Sequence, residues 1–326
     1  MPSLAPAIAE IRLAVRTALV DLPAASTVVV ALSGGADSLA LAAAAAFEGS
    51  KLGLRVETVT IDHGLQPGSD AAARRAATIA ADLGLTAHVV PVEVGGVDGP
   101  EAAARTARYR ALRQAAEGSS AVLLGHTLDD QAETVLLGLA RGSGATSLQG
   151  MAPVRVDDDG LRWLRPLLTV RRATTRAFCA ASALEVWDDP HNLDDRFSRV
   201  RVRERVLPVL ETELGPGIAE ALARTAEQLR EDAAAFDEMI HETIEDIVEH
   251  AEAGISVSAA ALAANPAALR NRIIRLVVDS EFGASLTRVQ TLEVARLATD
   301  WAGQGPIDLP GCSAARVGGR IVLTAR

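Results

Sequence analysis

Apolar residues recur along the first 140 positions in two alternating rhythms. Continuous aliphatic, β-branched runs at 27–32, 55–61, 86–92 and 121–125 have the composition of short buried strands. Alanine-rich stretches at 37–48, 70–83, 101–117 and 129–140 carry the propensity and spacing of helices. A leading amphipathic helix is predicted over 4–20 from Leu4, Ile8, Ile11, Val15 and Leu19. Four strand–helix units in succession predict an α/β fold, a doubly wound parallel sheet with helices on both faces. Ligands of such sheets sit beyond the carboxyl ends of the strands, so the residues following each strand are the candidates for chemistry.

The pattern changes after residue 140. Arg141–Gly144 closes the preceding helix, and Asp157-Asp158-Asp159-Gly160 reads as a tight turn. Two arginine clusters follow, one of Arg162, Arg165, Arg171, Arg172 and Arg176, the other of Arg196, Arg199, Arg201, Arg203 and Arg205. Pro208 and Gly215-Pro216-Gly217 mark a boundary. From Ile218 a long helix is predicted, with Leu222, Leu229, Phe236, Ile240, Ile244 and Ile247 as its apolar stripe and acids on the other faces. The remainder reads as a small α+β module: helices over 259–279 and 286–299, then a glycine-turned strand pair over 306–324. Two domains are expected, 1–212 and a smaller, mainly helical 213–326.

Composition narrows the function classes. At 326 residues, 49% hydrophobic and 23% charged, the chain is of the folded globular class. Aromatic residues are only 3%, which argues against base-stacking platforms as the main mode of nucleic-acid binding. The net charge of −10 opposes a polyanionic partner as a whole, but many acids fall on the long helix, away from the arginine clusters. Cys179 and Cys312 form no Cys-x-x-Cys pair and are expected to be free thiols in a reducing compartment. No basic leader and no run of about 18 apolar residues is present, so a cytoplasmic protein without a membrane span is expected.

Three of the four predicted strand ends carry polar or glycine-rich residues. After the first stands Ser33-Gly34-Gly35-Ala36-Asp37-Ser38, a glycine turn opening a helix, the geometry that presents free N–H groups and the helix dipole to phosphate. It lacks the Gly-Lys of the Walker loop and the Gly-x-Gly-x-x-Gly of dinucleotide folds. After the second comes Asp62-His63-Gly64-Leu65, able to contact a nucleotide or to cap a turn. After the third, the exception, Gly95–Pro100 reads as a flexible loop whose Pro100 suits the first turn of the next helix. After the fourth comes Gly125-His126-Thr127-Leu128-Asp129-Asp130-Gln131-Ala132-Glu133-Thr134. Asp129, Asp130 and Glu133 share a helix face, either as a first-turn capping box of Asp130 and Glu133 or as ligands for Mg²⁺ or an ammonium group. His126 and one of the arginines of the preceding helix, Arg105, Arg108 or Arg110, are candidates to stabilise a phosphorus centre.

The loop at 33–38 resembles the PP-loop of ATP pyrophosphatases, which split ATP into AMP and pyrophosphate. The order of Ser33–Ser38, Ile61–Leu65, Ala107-Arg108-Tyr109-Arg110, Gly125–Thr134, Arg141–Gly144, Arg165-Pro166-Leu167-Leu168, Asp189–Asn192 and the arginines up to Arg205 is similar to that of the tRNA(Ile)-lysidine synthetases. The family pattern often has Arg-Asn where Arg199-Val200 stands. The resemblance implies an adenine-nucleotide α-hydrolase-like fold and a ligase using ATP and Mg²⁺, with free lysine and a tRNA(Ile) bearing a CAU anticodon as partners. A homodimer is left open. Ser33, Gly34, Gly35, Ala36, Asp37, Ser38, Asp62 and His63 would bind ATP and pyrophosphate. Asp37, Arg105, His126, Asp130 and Glu133 would be catalytic, with Asp37 and Asp130 on the metal and Asp130 and Glu133 on the lysine ammonium. Arg171, Arg172, Arg199, Arg201, Arg203 and Arg205 would meet tRNA phosphates. The runner-up is another PP-loop enzyme, tRNA-modifying or amide-forming.

Overall fold

The computed structural model describes residues 4–64, 68–92, 100–142, 144–189, 194–251 and 254–326. The loop 95–99, Leu65, Ser143 and Pro190–Asn192, all named above, lie outside the described residues. The chain forms two compact units, 1–230 and 231–326.

In the first unit, α1 (Pro6–Leu19) precedes four strand–helix units. These are β1 (Thr27–Ala31) with α2 (Ala36–Lys51), β2 (Arg55–Asp62) with α3 (Ser69–Asp82), β3 (Thr86–Pro91) with α4 (Pro100–Ala115), and β4 (Ala121–Leu123) with α5 (Leu128–Ala140). Val28, Val29 and Val30 are fully buried, as a strand covered on both faces requires. One face of the sheet packs on Leu39, Leu41 and Ala42 of α2, with Ile11 and Val15 of α1 in the same core. Burying such a leucine contributes about 1.5–3 kcal/mol, and the alanines let α2 lie close to the sheet. On the other face Leu112 of α4 meets Val29, Val59, Val122 and Trp163, with the Tyr109 and Trp163 rings 5.1 Å apart.

The sheet order among the described strands is β3-β2-β1-β4-β6-β5. Strands β5 (Val154–Val156) and β6 (Arg162–Leu164) were not expected; they form an antiparallel hairpin around the acidic turn, and β6 runs parallel to β4. The turn is fixed by its acids. Asp157 accepts from Trp163 Nε1 at 2.8 Å and pairs with Arg113, and Asp159 pairs with Arg113 at 2.7 Å. Next come α6 (Ala145–Leu148) in the connection before this hairpin and α7 (Arg172–Ala181) after it. Then α8 (Ser198–Arg201), a π-helical turn (Val202–Val206) and α9 (Leu207–Glu213) form one run, followed by α10 (Ile218–Ile247). The unit boundary falls inside α10 rather than ahead of it at 212/213. The reason is that Ile218, Ala219, Leu222 and Ala223 pack with Leu128, Ala132 and Leu207.

The second unit holds the rest of α10, β7 (Val248–Ala251), β8 (Gly254–Ser258), α11 (Ala259–Ala264), α12 (Ala267–Phe282), α13 (Arg288–Thr299), β9 (Ile307–Leu309), β10 (Cys312–Val317) and β11 (Arg320–Ala325). The single helix expected over 259–279 is broken at Asn265-Pro266, because proline cannot donate to the helix ladder. The strand pair expected near the end belongs to a larger antiparallel sheet, β7-β8-β11-β10-β9. Its core is built from Ile255, Val257, Ile273, Val277, Leu297, Ala314 and Leu323.

Candidate active site

Three chain segments meet at the carboxyl edge of the parallel sheet. The first is the loop between β1 and α2. Gly34 takes φ +82°, a left-handed conformation suited to glycine, and its carbonyl accepts from Trp187 N–H at 3.0 Å. Gly35 caps α2 with an extended backbone. The Ser38 hydroxyl lies 3.1 Å from both the Ser33 N–H and the Ser33 hydroxyl, so the two serines close the loop on itself. The second segment, after β4, touches this loop directly. A Cβ on Gly125 would stand 3.3 Å from the backbone of Asp37 and Ser38, a tight contact that a larger residue would relieve only by pushing the two strand ends apart.

The third segment is α7, and it gives one half of the site its character. Helix α5 starts at Thr127, whose hydroxyl and N–H pair with Asp130 Oδ2 at 2.9 and 2.8 Å. The capping box is therefore Thr127 with Asp130, not Asp130 with Glu133; Glu133 lies a turn deeper and is fully buried. Arg172, at the first turn of α7, reaches across to four carboxylates. Its backbone N–H donates to Asp129 at 2.8 Å, and its guanidinium lies 2.7 Å from Asp130, 3.3 Å from Glu133 and 3.5 Å from Asp37. Arg203 grips Glu133 with both Nε and Nη2, at 2.7 and 3.1 Å, and Arg199 lies 3.9 Å from the same carboxylate. Asp37 also accepts from the buried Thr175 hydroxyl.

These contacts set the charge states. Burial tends to raise the Asp130 carboxyl, but Arg172 and the Thr127 hydrogen bonds hold it below the ordinary value. Asp37 is pushed up, by burial first and with the charge of Asp130 adding to it, against the pull of Thr175 and Arg172. Arg172 is held more firmly protonated, since the four acids outweigh its burial.

The other half is its opposite. His63 Nδ1, His126 Nδ1, Arg108 Nε and Arg165 Nε are shut off from solvent with no hydrogen-bond partner among the described residues. Burial lowers His126 to about 3, with Arg165, Arg108 and Arg105 pushing the same way and Asp130 opposing, so the imidazole is neutral. Burial also lowers His63, with Arg108 adding and Asp62 opposing. Arg108 itself is depressed by burial and by the charges of Arg105 and Arg199. Buried cationic nitrogens left without acceptors cost free energy, and an anion is the group that satisfies them.

The sequence-predicted residues divide accordingly. Ser33–Ser38, His126, Asp130 and Glu133 lie together, and His63 is felt by Arg108 next to His126. Asp62 folds back to accept from Gly64 N–H at 3.0 Å, the turn-capping contact. Arg105 is exposed and stacks over Tyr109, so the arginine of α4 that turns into the site is Arg108, which lies within the Ala-Arg-Tyr-Arg motif. The expected phosphate-facing arginines separate too. Arg172, Arg199 and Arg203 turn inward to the acids, because Glu133 is buried and needs countercharge. Arg171 pairs with Asp129 and Glu220, Arg205 with Asp195, and Arg201 binds backbone carbonyls of its own segment. Sequence spacing does not reveal these cross-chain partners.

Comparison with known proteins agrees with this arrangement. A PP-loop domain model matches residues 9–210, and a TilS substrate binding domain model matches 258–322. A tRNA(Ile)-lysidine synthase of Leifsonia xyli is 59% identical over 91% of this chain and 89% of its own length. Those of Streptomyces coelicolor and Thermobifida fusca are each 49% identical over 98% of both chains. Among solved structures, the U34-tRNA thiolase NcsA of Methanococcus maripaludis shares the fold, with a TM-score of 0.60 at 19% identity, covering 69% of this chain and 80% of that one. No described helix is long and apolar enough to cross a membrane. With a phosphate loop, a buried cationic hole and a carboxylate cluster at one sheet edge, and with relatives matching nearly end to end, this chain belongs to the tRNA(Ile)-lysidine synthase family of PP-loop enzymes.

Proposed function

We propose that this enzyme joins free lysine to C2 of the wobble cytidine of a tRNA(Ile) with a CAU anticodon, at the expense of ATP. The observation that carries the reading is the division of one site into an unsatisfied cationic half and a carboxylate half. The loop 33–38 offers backbone N–H groups and the α2 dipole to the β- and γ-phosphates. Beside it Arg108 and neutral His126 would meet the α-phosphate; the arginine supplies charge and the imidazole an N–H or a lone pair. Cytosine O2 attacks the α-phosphorus, the bond to pyrophosphate breaks, and the base is left adenylated at O2. The lysine amine then attacks C2, the C2–O bond breaks, and AMP leaves with its electron pair. The amine must shed a proton, and one of the two carboxylates proposed for the amine site, Asp130 or Glu133, would take it.

Mg²⁺ fits as a partner of the nucleotide rather than of the protein alone. Among the described residues no group of three His, Cys, Asp or Glu is arranged to hold a metal. Asp37 and Asp130, spanned by the single guanidinium of Arg172, supply two carboxylates, the number Mg²⁺ uses when phosphates and water complete its shell. When bound, Mg²⁺ would neutralise charge on the phosphates.

A thiol-transfer reading has less support, since Cys179 and Cys312 are buried in the cores of different units. Arg171, Arg201 and Arg205, together with the second unit, are proposed to contact tRNA. The test is pyrophosphate release from ATP with tRNA, with and without lysine. Release that requires tRNA, and that Asp37→Ala abolishes while circular dichroism is unchanged, supports the reading. Release independent of tRNA, or full activity in Asp37→Ala, contradicts it.

A further inference from the structure

Arg172 sits where the proposed chemistry needs another cation. Its guanidinium touches Asp130, Glu133 and Asp37, and its backbone N–H binds Asp129. The groups proposed for metal and amine are thus already neutralised from within the chain. An incoming lysine ammonium meets the charge of the Arg172 guanidinium, whose Nη2 already lies 2.7 Å from Asp130 Oδ1.

The acids do not depend on Arg172 equally. Glu133 keeps its two-pronged grip from Arg203 if Arg172 leaves, and Asp129 is bound through the Arg172 backbone rather than its side chain. Asp130 Oδ2 keeps its two Thr127 bonds, and Asp37 keeps Thr175. Withdrawal of the side chain therefore opens one oxygen of Asp37, and leaves Asp130 Oδ1 with only the more distant Arg203 Nη2 at 3.6 Å among its described charged partners, the remaining carboxylate bonds staying in place. The side chain is long, 19% of its surface is exposed, and its anchor is the first turn of a helix, so it is not sealed inside the core.

We infer that Arg172 is an internal stand-in for the substrate ammonium: it holds the carboxylates in the empty enzyme and is exchanged for the lysine side-chain cation. This rests on the proposed function and adds a regulatory element to the same site. A protein whose binding-competent form is a fraction of the total shows an affinity reduced by that fraction. Removing the competing guanidinium then tightens lysine binding, where loss of a merely structural clamp weakens it or leaves it unchanged.

The experiment is calorimetric titration of L-lysine at pH 8 into protein loaded with a non-hydrolysable ATP analogue, without tRNA. Arg172→Met is expected to bind lysine about tenfold or more tighter than wild type. Arg172→Lys, which retains a competing charge, should fall between them. Asp130→Asn in the Arg172→Met background should erase the gain. Unchanged or weaker binding in a folded Arg172→Met protein overturns the inference, as does binding by neither protein. Should Arg172→Met fail to fold, wild-type-like affinity in Arg172→Lys overturns it. Incorporation of labelled lysine into tRNA by wild type is measured in parallel, so failure of the proposed function is read separately from failure of the exchange.

Discussion

The two halves of the site are solved in opposite ways. Around Asp37, Asp129, Asp130 and Glu133 every acid has a partner within the chain, chiefly Arg172 and Arg203. Around His63, Arg108, His126 and Arg165, buried nitrogens have no acceptor among the described residues. A paired half keeps its shape without ligand, because breaking a buried ion pair costs about 3–5 kcal/mol. An unpaired half spends stability on being ready, and recovers it when an anion arrives. The same sheet edge thus holds one region neutralised from within the chain and one left open to an anion.

The sharpest way to break this comparison is to alter the unpaired half. Arg108→Ala should reduce tRNA-dependent pyrophosphate release by about 10²–10³-fold, the cost of losing one transition-state donor, with little change in melting temperature. Arg105→Ala should change it far less, because Arg105 is exposed against Tyr109. Equal losses in the two variants, read by initial rates at saturating ATP, would dissolve the distinction between them.

Next in size is the paired half. Glu133→Gln leaves Arg203 and Arg172 without a full countercharge, so both stability and lysine use should fall. The expected loss in kcat/KM for lysine is about 10- to 150-fold, from a charge-assisted bond of roughly 1.5–3 kcal/mol. The melting temperature should drop as well, unlike that of Arg108→Ala. A Glu133→Gln protein with wild-type melting and wild-type lysine dependence would return Glu133 to a passive role.

Acidity sharpens the contrast by a smaller margin. Folded His126 titrates near 3, below the 6.5 of an ordinary histidine. Below about 6.5 the unfolded chain gains a proton that the folded one refuses, so stability falls as pH drops from about 6.5 toward 3. Chemical denaturation across this range should show that slope, and His126→Asn should flatten it. Pyrophosphate release should show no step near 6.5 due to His126, and should instead decline at lower pH as the raised carboxyl of Asp37 takes up its proton. A midpoint near 6.5 that His126→Asn removes would mean the imidazole is charged in the working enzyme.

The smallest effect concerns the surface. Among the described residues, Arg201 and Arg205 are tied to their own segment, so phosphate can compete for them. Replacing each by glutamate should lower the log–log salt slope of tRNA binding by about 0.7–0.9 per phosphate lost. An unchanged slope would assign these arginines to holding their own segment.

How much of this the sequence disclosed differs between the same regions. The βα units were readable because each strand is a continuous apolar run and each helix an alanine-rich one, and because Gly34 and Gly125 sit where the backbone must turn or approach. Strands β5 and β6 were not readable: each has three residues, and Val154 and Val156 face outward. Arg172 and Arg203 looked like a basic surface because their partners, Asp130 and Glu133, are 42 and 70 positions away. Arg108 lost to Arg105 because helical spacing does not say which arginine of α4 faces the sheet. Local pattern sets the elements; the pairing of charges is decided only when distant segments meet.

The central claim is that the two halves serve one reaction, activation of a tRNA base by ATP followed by capture with lysine. The direct measurement is incubation with ATP, Mg²⁺, a tRNA(Ile) carrying the CAU anticodon and labelled lysine, following label in the tRNA and pyrophosphate together. The account predicts label bound stably to the tRNA, with one pyrophosphate released per lysine joined and no transfer when the wobble cytidine is replaced by uridine. Pyrophosphate release without label in the tRNA, or label transferred equally to the uridine tRNA, would contradict it.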